Sequence, residues 1–558
     1  MKKEISGHIV DVRNQKIYDG VVTIENHHIV SISLSDKVEE QYLMPGFIDA
    51  HVHIESSMLL PENFAILASR HGTVGVVTDP HEIANVLGVK GVEFMIENSK
   101  KTPFHFCFCA PSCVPATPFE TNGFAISSAE IEPLMKNPDI YGLAEMMNFP
   151  GVLSGDAEVL RKIEASLHAG KPVDGHAPGL LGADLEKYVA AGISTDHECT
   201  TIEEAQQRVQ LGMKVLIREG SAAHDFDALS PLLQDCPDKL MFCSDDKHPD
   251  ELLDGHINQL VKRALALDYP FWNVLRAATV NPVEHYHIPC GLLQPGDAAD
   301  FIVVDNLRDL NVLQTYISGE VFEGNVNNVA LHEYYEGHIA AKEQESTNSW
   351  PNNFQAQPIE LKDLRVEPLS RQMRVIVSSD GSLLTDVEVV EPLVKEGNVV
   401  SDLEHDVLKM VVYNRYTPAK PQVAFIKGFG LKEGALASTI AHDSHNLIAI
   451  GATDEALLAV VNHLISLKGG LAVCEMQDGK PVFKSMSLPV AGLISPCSGE
   501  EVAYQFDKIA AVSFRLGCQF IAPFMTLGFM ALPVIPKLKL TDKGLFDSEK
   551  FAFTELFV

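Results

Sequence analysis

Two histidines, His51 and His53, stand one residue apart in the apolar stretch Met44-Pro-Gly-Phe-Ile-Asp-Ala-His-Val-His-Ile-Glu-Ser-Ser-Met58. Side chains alternate between the two faces of a β-strand, so these imidazoles point the same way. Two imidazoles on one face at the end of a strand can bind one metal ion. The spacing therefore directs attention to other ligand-type residues that the fold could bring to the same place.

Residues of the same types end other strand-like segments of the chain. They are Asp79, His81, Glu145, His176, His197, Asp245 and Asp246. A single histidine on a strand is more commonly a core or surface residue, and Asp79-Pro-His-Glu82 could cap a helix. Four histidines, one glutamate and one aspartate at five separate strand ends nevertheless favour a metal site.

The elements that must position these residues alternate between strand-like and helix-like patterns. The strand candidates are Leu43–Ile54, Thr73–Asp79, Phe104–Pro111, Ile140–Met146, Pro172–Ala177, Ile193–Glu198, Lys214–Gly220 and Met241–Asp246. Segments of helical length and periodicity separate them. Eight β/α units predict an α/β fold built on a TIM-type (β/α)8 barrel, whose strands all end at one mouth where active sites form.

The flanks of this barrel predict further domains. Short alternating strands before it and again after Gly291-Leu-Leu-Gln-Pro-Gly296 predict a small β-module made from residues 1–42 and 289–335. The barrel then takes 43–288. Residues 336–364 are polar and predict a linker, and 365–558 predict a C-terminal domain of mixed α/β pattern.

Composition narrows the range of partners. The chain of 558 residues carries a formal net charge of −32, which disfavours nucleic acid and anionic membranes and favours a neutral or cationic small molecule. Its ten cysteines form no C-x-x-C pair, which is typical of buried free thiols in a reducing compartment. No signal peptide is evident, and prolines interrupt the longest apolar run, Phe520 to Pro536. We expect no membrane association and a cytoplasmic protein.

Imidazole and carboxylate ligands without thiolate suit Zn, Mn or Fe(II). Glu145 could bridge two ions, with His51 and His53 on one and His176 and His197 on the other. Two metals lower the pKa of a shared water and give hydroxide at neutral pH. Asp245 could accept the proton of that water and pass it to the leaving group. The chemistry indicated is hydrolysis at an electrophilic carbon.

These residues resemble the amidohydrolase superfamily, through Pro45-Gly-Phe-Ile-Asp-Ala-His-Val-His53 and the order of histidines and aspartate. The closer resemblance is to the bacterial adenine deaminase (adenine aminohydrolase) family. It is carried by His51-Val-His-Ile-Glu-Ser-Ser-Met58, Thr78-Asp-Pro-His-Glu-Ile-Ala-Asn-Val-Leu-Gly88, Ala144-Glu-Met-Met-Asn148, Asp174-Gly-His-Ala-Pro-Gly179, Cys243-Ser-Asp-Asp246, Ala441-His-Asp-Ser-His-Asn446 and Leu532-Pro-Val-Ile-Pro536. The resemblance therefore spans nearly the whole chain, including the C-terminal domain.

The resemblance implies hydrolysis of adenine to hypoxanthine and ammonia by a metal-activated hydroxide, in purine salvage or catabolism. It implies two divalent ions, Mn²⁺ first, with Fe²⁺ or Zn²⁺ as alternatives, and a homo-oligomer. Many superfamily members bridge their metals with a carboxylated lysine, where this chain has Glu145. The implied metal ligands are His51, His53, Glu145, His176, His197 and Asp245, with Asp245 and Glu145 catalytic. The superfamily pattern favours Asp245 over Asp246 as the proton shuttle.

Other residues are left with two readings. His81, Glu82 and Arg218 could contact the purine, or could cap and pack. The cluster His442, Asp443, His445 and Asn446 could contribute to a lid or to substrate contacts, or could form a hydrogen-bonded turn. Two other functions also stay open. One is a related amidohydrolase acting on another purine or a cyclic amide. The other is a non-catalytic scaffold, although a scaffold should have lost ligands and here none is missing.

Overall fold

The computed structural model describes residues 2–322 and 350–558. Residues 336–349 of the predicted linker at 336–364, and the predicted end of the β-module at 335, therefore lie outside the described residues. Within the described parts, an eight-stranded barrel is flanked by a small β-sheet and by a C-terminal domain with its own sheet.

The barrel strands run parallel and are Phe47–Val52, Thr73–Thr78, His105–Ala110, Ile140–Met146, Val173–Gly175, Thr195–Asp196, Lys214–Arg218 and Leu240–Cys243. We number them one to eight. The second strand is buried at every position, as expected for a parallel strand covered on both faces. Its near-continuous apolar sequence is explained by that burial. The predicted TIM-type barrel is confirmed.

Backbone hydrogen bonds join the two groups of barrel strands. Between strands five and six, the Ser194 N–H donates to the Val173 carbonyl at 2.9 Å. Between strands eight and one, the Asp245 N–H donates to His51 at 2.9 Å, and the His53 N–H donates to Asp245 at 3.2 Å. The second pair of bonds closes the barrel at the residues that carry the histidine pair.

Helices cover the outside of the barrel and its ends. They are Pro61–Arg70, His81–Leu87, Val89–Ser99, Ser128–Leu134, Phe149–Ser154, Ala157–His168, Gly182–Ala190, Ile202–Gln210, Phe226–Leu229, Leu232–Asp235, Pro249–Asp254, Ile257–Ala266, Phe271–Ala278 and Val280–Tyr286, with 3₁₀ turns at Ile54–Ser57 and Pro237–Lys239. Local caps define several of them. The Asp156 side chain, for example, accepts from two N–H groups of the Ala157–His168 helix.

The small sheet combines both flanks of the barrel sequence. Its seven strands lie in the order Glu320–Val321, Val312–Ile317, Phe301–Val304, Tyr42–Pro45, Lys3–Asp11, Lys16–Glu25 and His28–Leu34. A separate cluster of apolar side chains, including Ile9, Val22, Leu43 and Phe301, is buried against it. The sheet therefore has its own core.

The single strand predicted over Leu43–Ile54 is wrong, because the structure divides it between two sheets. Tyr42–Pro45 belongs to the small sheet and Phe47–Val52 to the barrel. Gly46 lies between them, and a Cβ there would be 2.3 Å from Val74 Cγ1. Only glycine allows the backbone to approach the second barrel strand this closely.

The C-terminal domain contains an eight-stranded mixed sheet. Its strands lie in the order Asp386–Val390, Met373–Val377, Gln422–Lys427, Val407–Tyr413, Leu447–Gly451, Ala435–Ser438, Gly470–Gln477 and Lys480–Ser487. Smaller strands occur at Val394–Lys395, Asn398–Val399, Leu538–Thr541, Gly544–Asp547 and Ala552–Phe553, and a 3₁₀ turn at Leu361–Leu364. The helices are Asp454–Leu467, Gly499–Arg515 and Pro523–Phe529.

This domain covers the mouth of the barrel. The Ser495 N–H donates to the Met58 carbonyl at 2.9 Å, and Asn446 Nδ2 donates to the Thr121 carbonyl at 2.9 Å. Arg70 and Glu500 form an ion pair between the same two parts. Part of the apolar run at 520–536 forms the short buried helix Pro523–Phe529. Among the described helices, none combines the length and the apolar character needed to cross a bilayer.

One buried ion pair holds the part of the barrel from which His176 and His197 project. Arg208, on the Ile202–Gln210 helix, donates to Asp196 Oδ2 at 2.9 Å and to the carbonyls of Ala177 at 2.6 Å and Leu180 at 2.8 Å. Both charged side chains are fully buried. Arg208 therefore links strand six to the loop that follows strand five.

We predict that Arg208→Met lowers the thermal unfolding midpoint strongly. Removing one partner leaves the Asp196 charge buried and uncompensated, which costs about 3–5 kcal/mol. Arg161→Met is the matched control, because Arg161 pairs with Glu158 on an exposed helix face, where ion pairs contribute little. Differential scanning fluorimetry compares the two. Equal midpoints for both variants would contradict the structural importance of the buried pair.

Candidate functional site

The histidine pair lies at the centre of the barrel mouth. His51 is in strand one and His53 follows it directly, and both are buried. Their Nε2 atoms are 3.2 Å apart, so the two rings point to one place as the alternation of side chains predicts. His53 Nδ1 is 3.0 Å from the carbonyl of Asp79, a contact that fixes the ring and leaves Nε2 facing the mouth.

The carboxylate of Glu145 lies between two groups of histidines. Its Oε1 is 3.2 Å from His53 Nε2. Its Oε2 is 3.2 Å from His197 Nε2 and 2.5 Å from His176 Nδ1. Each oxygen thus faces a different histidine pair. Burial alone would raise the pKa of Glu145, but the contacts with His176, His197 and His53 outweigh burial and hold its pKa well below the ordinary value.

Asp245, rather than Asp246, is the aspartate beside the histidine pair. Its Oδ1 lies 3.2 Å from His53 Nε2 and 3.5 Å from His51 Nε2. The Asp245 backbone has φ = 54°, a left-handed conformation that aspartate tolerates better than most residues. Burial would raise the pKa of Asp245, but His51, His53 and Arg218 together hold it well below its usual range.

The donor set fits a divalent cation. When one ion binds two imidazoles at about 2.1 Å, their nitrogens stand roughly 3 Å apart, as those of His51 and His53 do. Buried nitrogen and carboxylate atoms from His51, Glu145 and His197 also converge, as do those from His51, His53 and Asp245. Without a cation between them, such closely spaced ligand atoms would gain little from their burial.

Arg218 lies under Asp245 and is buried. Its Nη1 donates to Asp245 Oδ2 at 3.1 Å and also contacts Glu198, while its Nε donates to Asp225 Oδ2 at 2.9 Å. The described contacts of Arg218 are thus with three carboxylates. They indicate that the guanidinium orients Asp245, and the predicted contact between Arg218 and a substrate stays a prediction.

His81 lies between Glu145 of the proposed metal site and the residues Glu82 and Asp443. Its Nδ1 is 2.8 Å from Asp79 Oδ2 and 3.5 Å from Glu145 Oε1. Its Nε2 faces Glu82 Oε1 at 3.8 Å and Asp443 Oδ1 at 3.7 Å. His81 and Glu82 begin the helix His81–Leu87, yet both side chains are buried at the mouth.

The C-terminal cluster of His442, Asp443 and His445, for which the sequence allows two roles, lies at this site. His442 Nδ1 and His445 Nε2 contact the two carboxylate oxygens of Glu82, and all three side chains are buried. The sequence signal for a functional role was the presence of two histidines and an aspartate within four residues, next to an apolar strand. Sequence spacing could not show that they face a glutamate 360 positions away.

Two family models match the chain. The amidohydrolase family matches residues 42–322, which include the barrel, and the adenine deaminase C-terminal domain matches residues 382–552. The first match includes every residue of the proposed metal site. The second includes the cluster His442, Asp443 and His445.

Relatives match over the full chain. The adenine deaminase of Methanosarcina mazei is 47% identical over 569 residues, covering 100% of this chain and 99% of that protein. The adenine deaminase of Salinibacter ruber is 49% identical, with 99% of each chain covered. That of Parabacteroides distasonis is 49% identical and covers 99% of this chain and 98% of its own length. Since the family models match both the barrel and the C-terminal domain, and the relatives match over the full chain, the chain belongs to the adenine deaminase family of amidohydrolases.

Proposed function

We propose that the protein hydrolyses adenine to hypoxanthine and ammonia, in purine salvage or catabolism. The observation that carries the proposal is the Glu145 carboxylate, which lies between two histidine pairs with Asp245 beside one of them. The full-length relatives named as adenine deaminases support the choice of substrate. The amidohydrolase family suggests a divalent metal centre, and the buried cluster of ligand-type residues agrees with it.

For the finer details of that centre, we propose two ions. His51, His53 and Asp245 would hold one, His176 and His197 the other, and Glu145 would lie between them. Mn²⁺ is the first choice, with Fe²⁺ or Zn²⁺ as alternatives, because imidazole and carboxylate ligands suit each of these ions. When bound, the ions supply Lewis-acid activation of water at neutral pH.

Asp245 is the proposed proton shuttle. Its low pKa keeps it a carboxylate, so it can accept a proton from the attacking water. As the oxygen of water adds to C6 of adenine, Asp245 takes one proton of that water and delivers it to the departing amine. The other proton of the water ends on the ring nitrogen N1, so adenine and water give hypoxanthine and ammonia. Arg218 holds the second oxygen of Asp245 and so keeps the first directed at the histidine pair.

His81 and Glu82 form the proposed substrate side of the mouth. The pKa of Glu82 would be raised by burial, but His442, His445 and His81 outweigh burial and hold it well below the ordinary value. Glu82 is therefore an acceptor of hydrogen bonds at neutral pH. A purine N–H is a suitable donor to it, so we assign Glu82 to substrate binding and not to protonation of the ring nitrogen N1.

The remaining features follow the sequence predictions. We keep the predicted order of a two-sided β-module, a barrel, a linker and a C-terminal domain, with two bounds moved. The module includes Tyr42–Pro45, so the barrel begins after residue 45 and not at 43. The C-terminal domain includes the 3₁₀ turn Leu361–Leu364, so it begins before 365. We also keep a cytoplasmic location and a homo-oligomer, with no nucleic-acid or membrane partner. None of the ten cysteines, all of which lie in the described residues, takes part in a disulfide, which is compatible with a reducing compartment.

Substrate loss and product formation, followed by chromatography with Mn²⁺-loaded protein, test the proposed function, and ammonia release is measured beside them for the aminopurines. The panel includes adenine, a second aminopurine such as guanine, and a cyclic amide such as hydantoin. We expect turnover of adenine and much slower reaction of the other two. Preference for the second purine or the cyclic amide would move the protein to another amidohydrolase activity. Metal-loaded, folded protein that turns over none of them would refute an enzymatic role in this panel.

Glu145→Gln tests the bridging carboxylate. An amide lacks the charge that two cations share, so we expect bound metal to fall and adenine turnover to be lost by about 10³-fold or more. Metal analysis and an ammonia assay measure the two effects. Glu186→Gln, on an exposed helix face, is the control and should match wild type. Full metal content together with full rate in Glu145→Gln would remove its bridging role.

Asp245→Asn tests the proton shuttle. The variant should fold, because asparagine also tolerates the left-handed backbone at this position. We expect kcat for adenine to fall by about 10²- to 10⁴-fold, the usual effect of losing a general base. Asp268→Asn is the matched control, since Asp268 also has a positive φ (59°). Near-normal kcat in Asp245→Asn would assign proton transfer to another group.

A further inference from the structure

The segment 441–446 of the C-terminal domain forms one wall of the barrel mouth. The imidazoles of His442 and His445 contact both oxygens of Glu82, and His442 stacks on Phe529 with ring centroids 4.3 Å apart. Asp443 comes within 3.7 Å of His81. Since His81 is 3.5 Å from Glu145, this segment is separated from the proposed metal centre by one side chain.

The segment is held rigidly. The His445 N–H donates to the Ala441 carbonyl at 2.6 Å, and Asn446 accepts from the Arg415 N–H at 3.2 Å. On its other side, Asn446 donates to the Thr121 carbonyl of the barrel half at 2.9 Å. Bonds in both directions fix the segment between the domains, so its side chains are pre-organised.

Several polar atoms of this wall have no partner among the residues that the structure describes. They are His442 Nε2, His445 Nδ1 and Asp443 Oδ2, and each belongs to a residue that is at most 3% exposed. Asp79 Oδ1, beside His81, is also unpaired. Buried polar atoms are nearly always hydrogen-bonded, so a group of unpaired ones indicates a place for a polar ligand.

The chemistry of these atoms matches the edge of a purine. Adenine carries N–H donors and unprotonated ring nitrogens along its edge, while imidazole nitrogens donate or accept and a carboxylate accepts. We propose that residues 441–446 form the purine-recognition side of the active site, so that the barrel alone holds an incomplete site. Asp443 contacts the base, and His442 and His445 position Glu82. The proposal rests on the proposed deamination of adenine.

Asp443→Asn tests recognition with little disturbance of the fold. The substitution keeps the shape of the side chain. It can replace the acceptor Asp443 Oδ2, which has no partner among the described residues, by an N–H donor. We expect kcat/KM for adenine to fall about 10- to 100-fold, mainly through a higher KM. Bound metal and the unfolding midpoint should stay as in wild type. Asp386→Asn is the matched control, because Asp386 lies on an exposed strand of the same domain.

A double-mutant cycle tests the positioning role of His445. If His445 acts through Glu82, then His445→Gln should lower kcat/KM in the wild-type background and have little further effect in Glu82→Gln. A merely structural histidine would instead give independent, additive losses and a lower unfolding midpoint in both backgrounds. Additive losses of that kind would refute the positioning role.

Wild-type protein is assayed with adenine first, so the two proposals fail separately. No adenine turnover by metal-loaded wild type refutes the proposed function. If the wild type is active, any one of three results for Asp443→Asn refutes recognition of the purine by residues 441–446. The first is a loss in kcat/KM of less than about tenfold, and the second is a loss confined to kcat. The third is a loss accompanied by lower metal content or a lower unfolding midpoint.

Discussion

The geometry of the site depends on two backbone hydrogen bonds between Asp245 and the residues His51 and His53 at the end of strand one. They close the barrel, and they join the main chain of His51 and His53 to that of the aspartate whose side chain faces both imidazoles. Because the backbone of Asp245 is left-handed, its carboxylate turns back toward the histidines while Asp246 points to Ser56. The proposed ligands therefore depend on the closure of the barrel as a whole.

Burial of charge is the second constraint. Glu145, Asp245 and Glu82 are all buried, and a buried carboxylate is costly without compensation. The compensation comes from histidines and, for Asp245, from Arg218. The barrel mouth is thus a region where several acidic groups stay ionised at neutral pH because cationic or metal-binding partners surround them. This arrangement suits metal-assisted hydrolysis, which needs both a cation site and a proton acceptor.

The C-terminal domain changes how the barrel is understood. It contributes contacts at Ser495, Asn446 and Glu500, and its two histidines reach the Glu82 carboxylate. A domain that inserts charged, buried side chains beside the proposed metal centre is part of the active-site architecture. Its match to the adenine deaminase C-terminal domain agrees with a specialised role that the barrel shared by amidohydrolases does not supply.

The sequence by itself determined what local spacing controls. The period of two in a strand placed His51 and His53 on one face. Eight strand-like segments, six of which end in ligand-type residues, indicated a barrel with its ligands at one mouth. Only the tertiary structure decided the rest. The break at Gly46 depends on contact with Val74. The direction of the Asp245 carboxylate depends on a backbone angle set by barrel closure, and the partners of Arg218 come from three separate segments. The meeting of Glu82 with His442 and His445 depends on the docking of two domains, and no sequence period encodes contacts between residues so far apart.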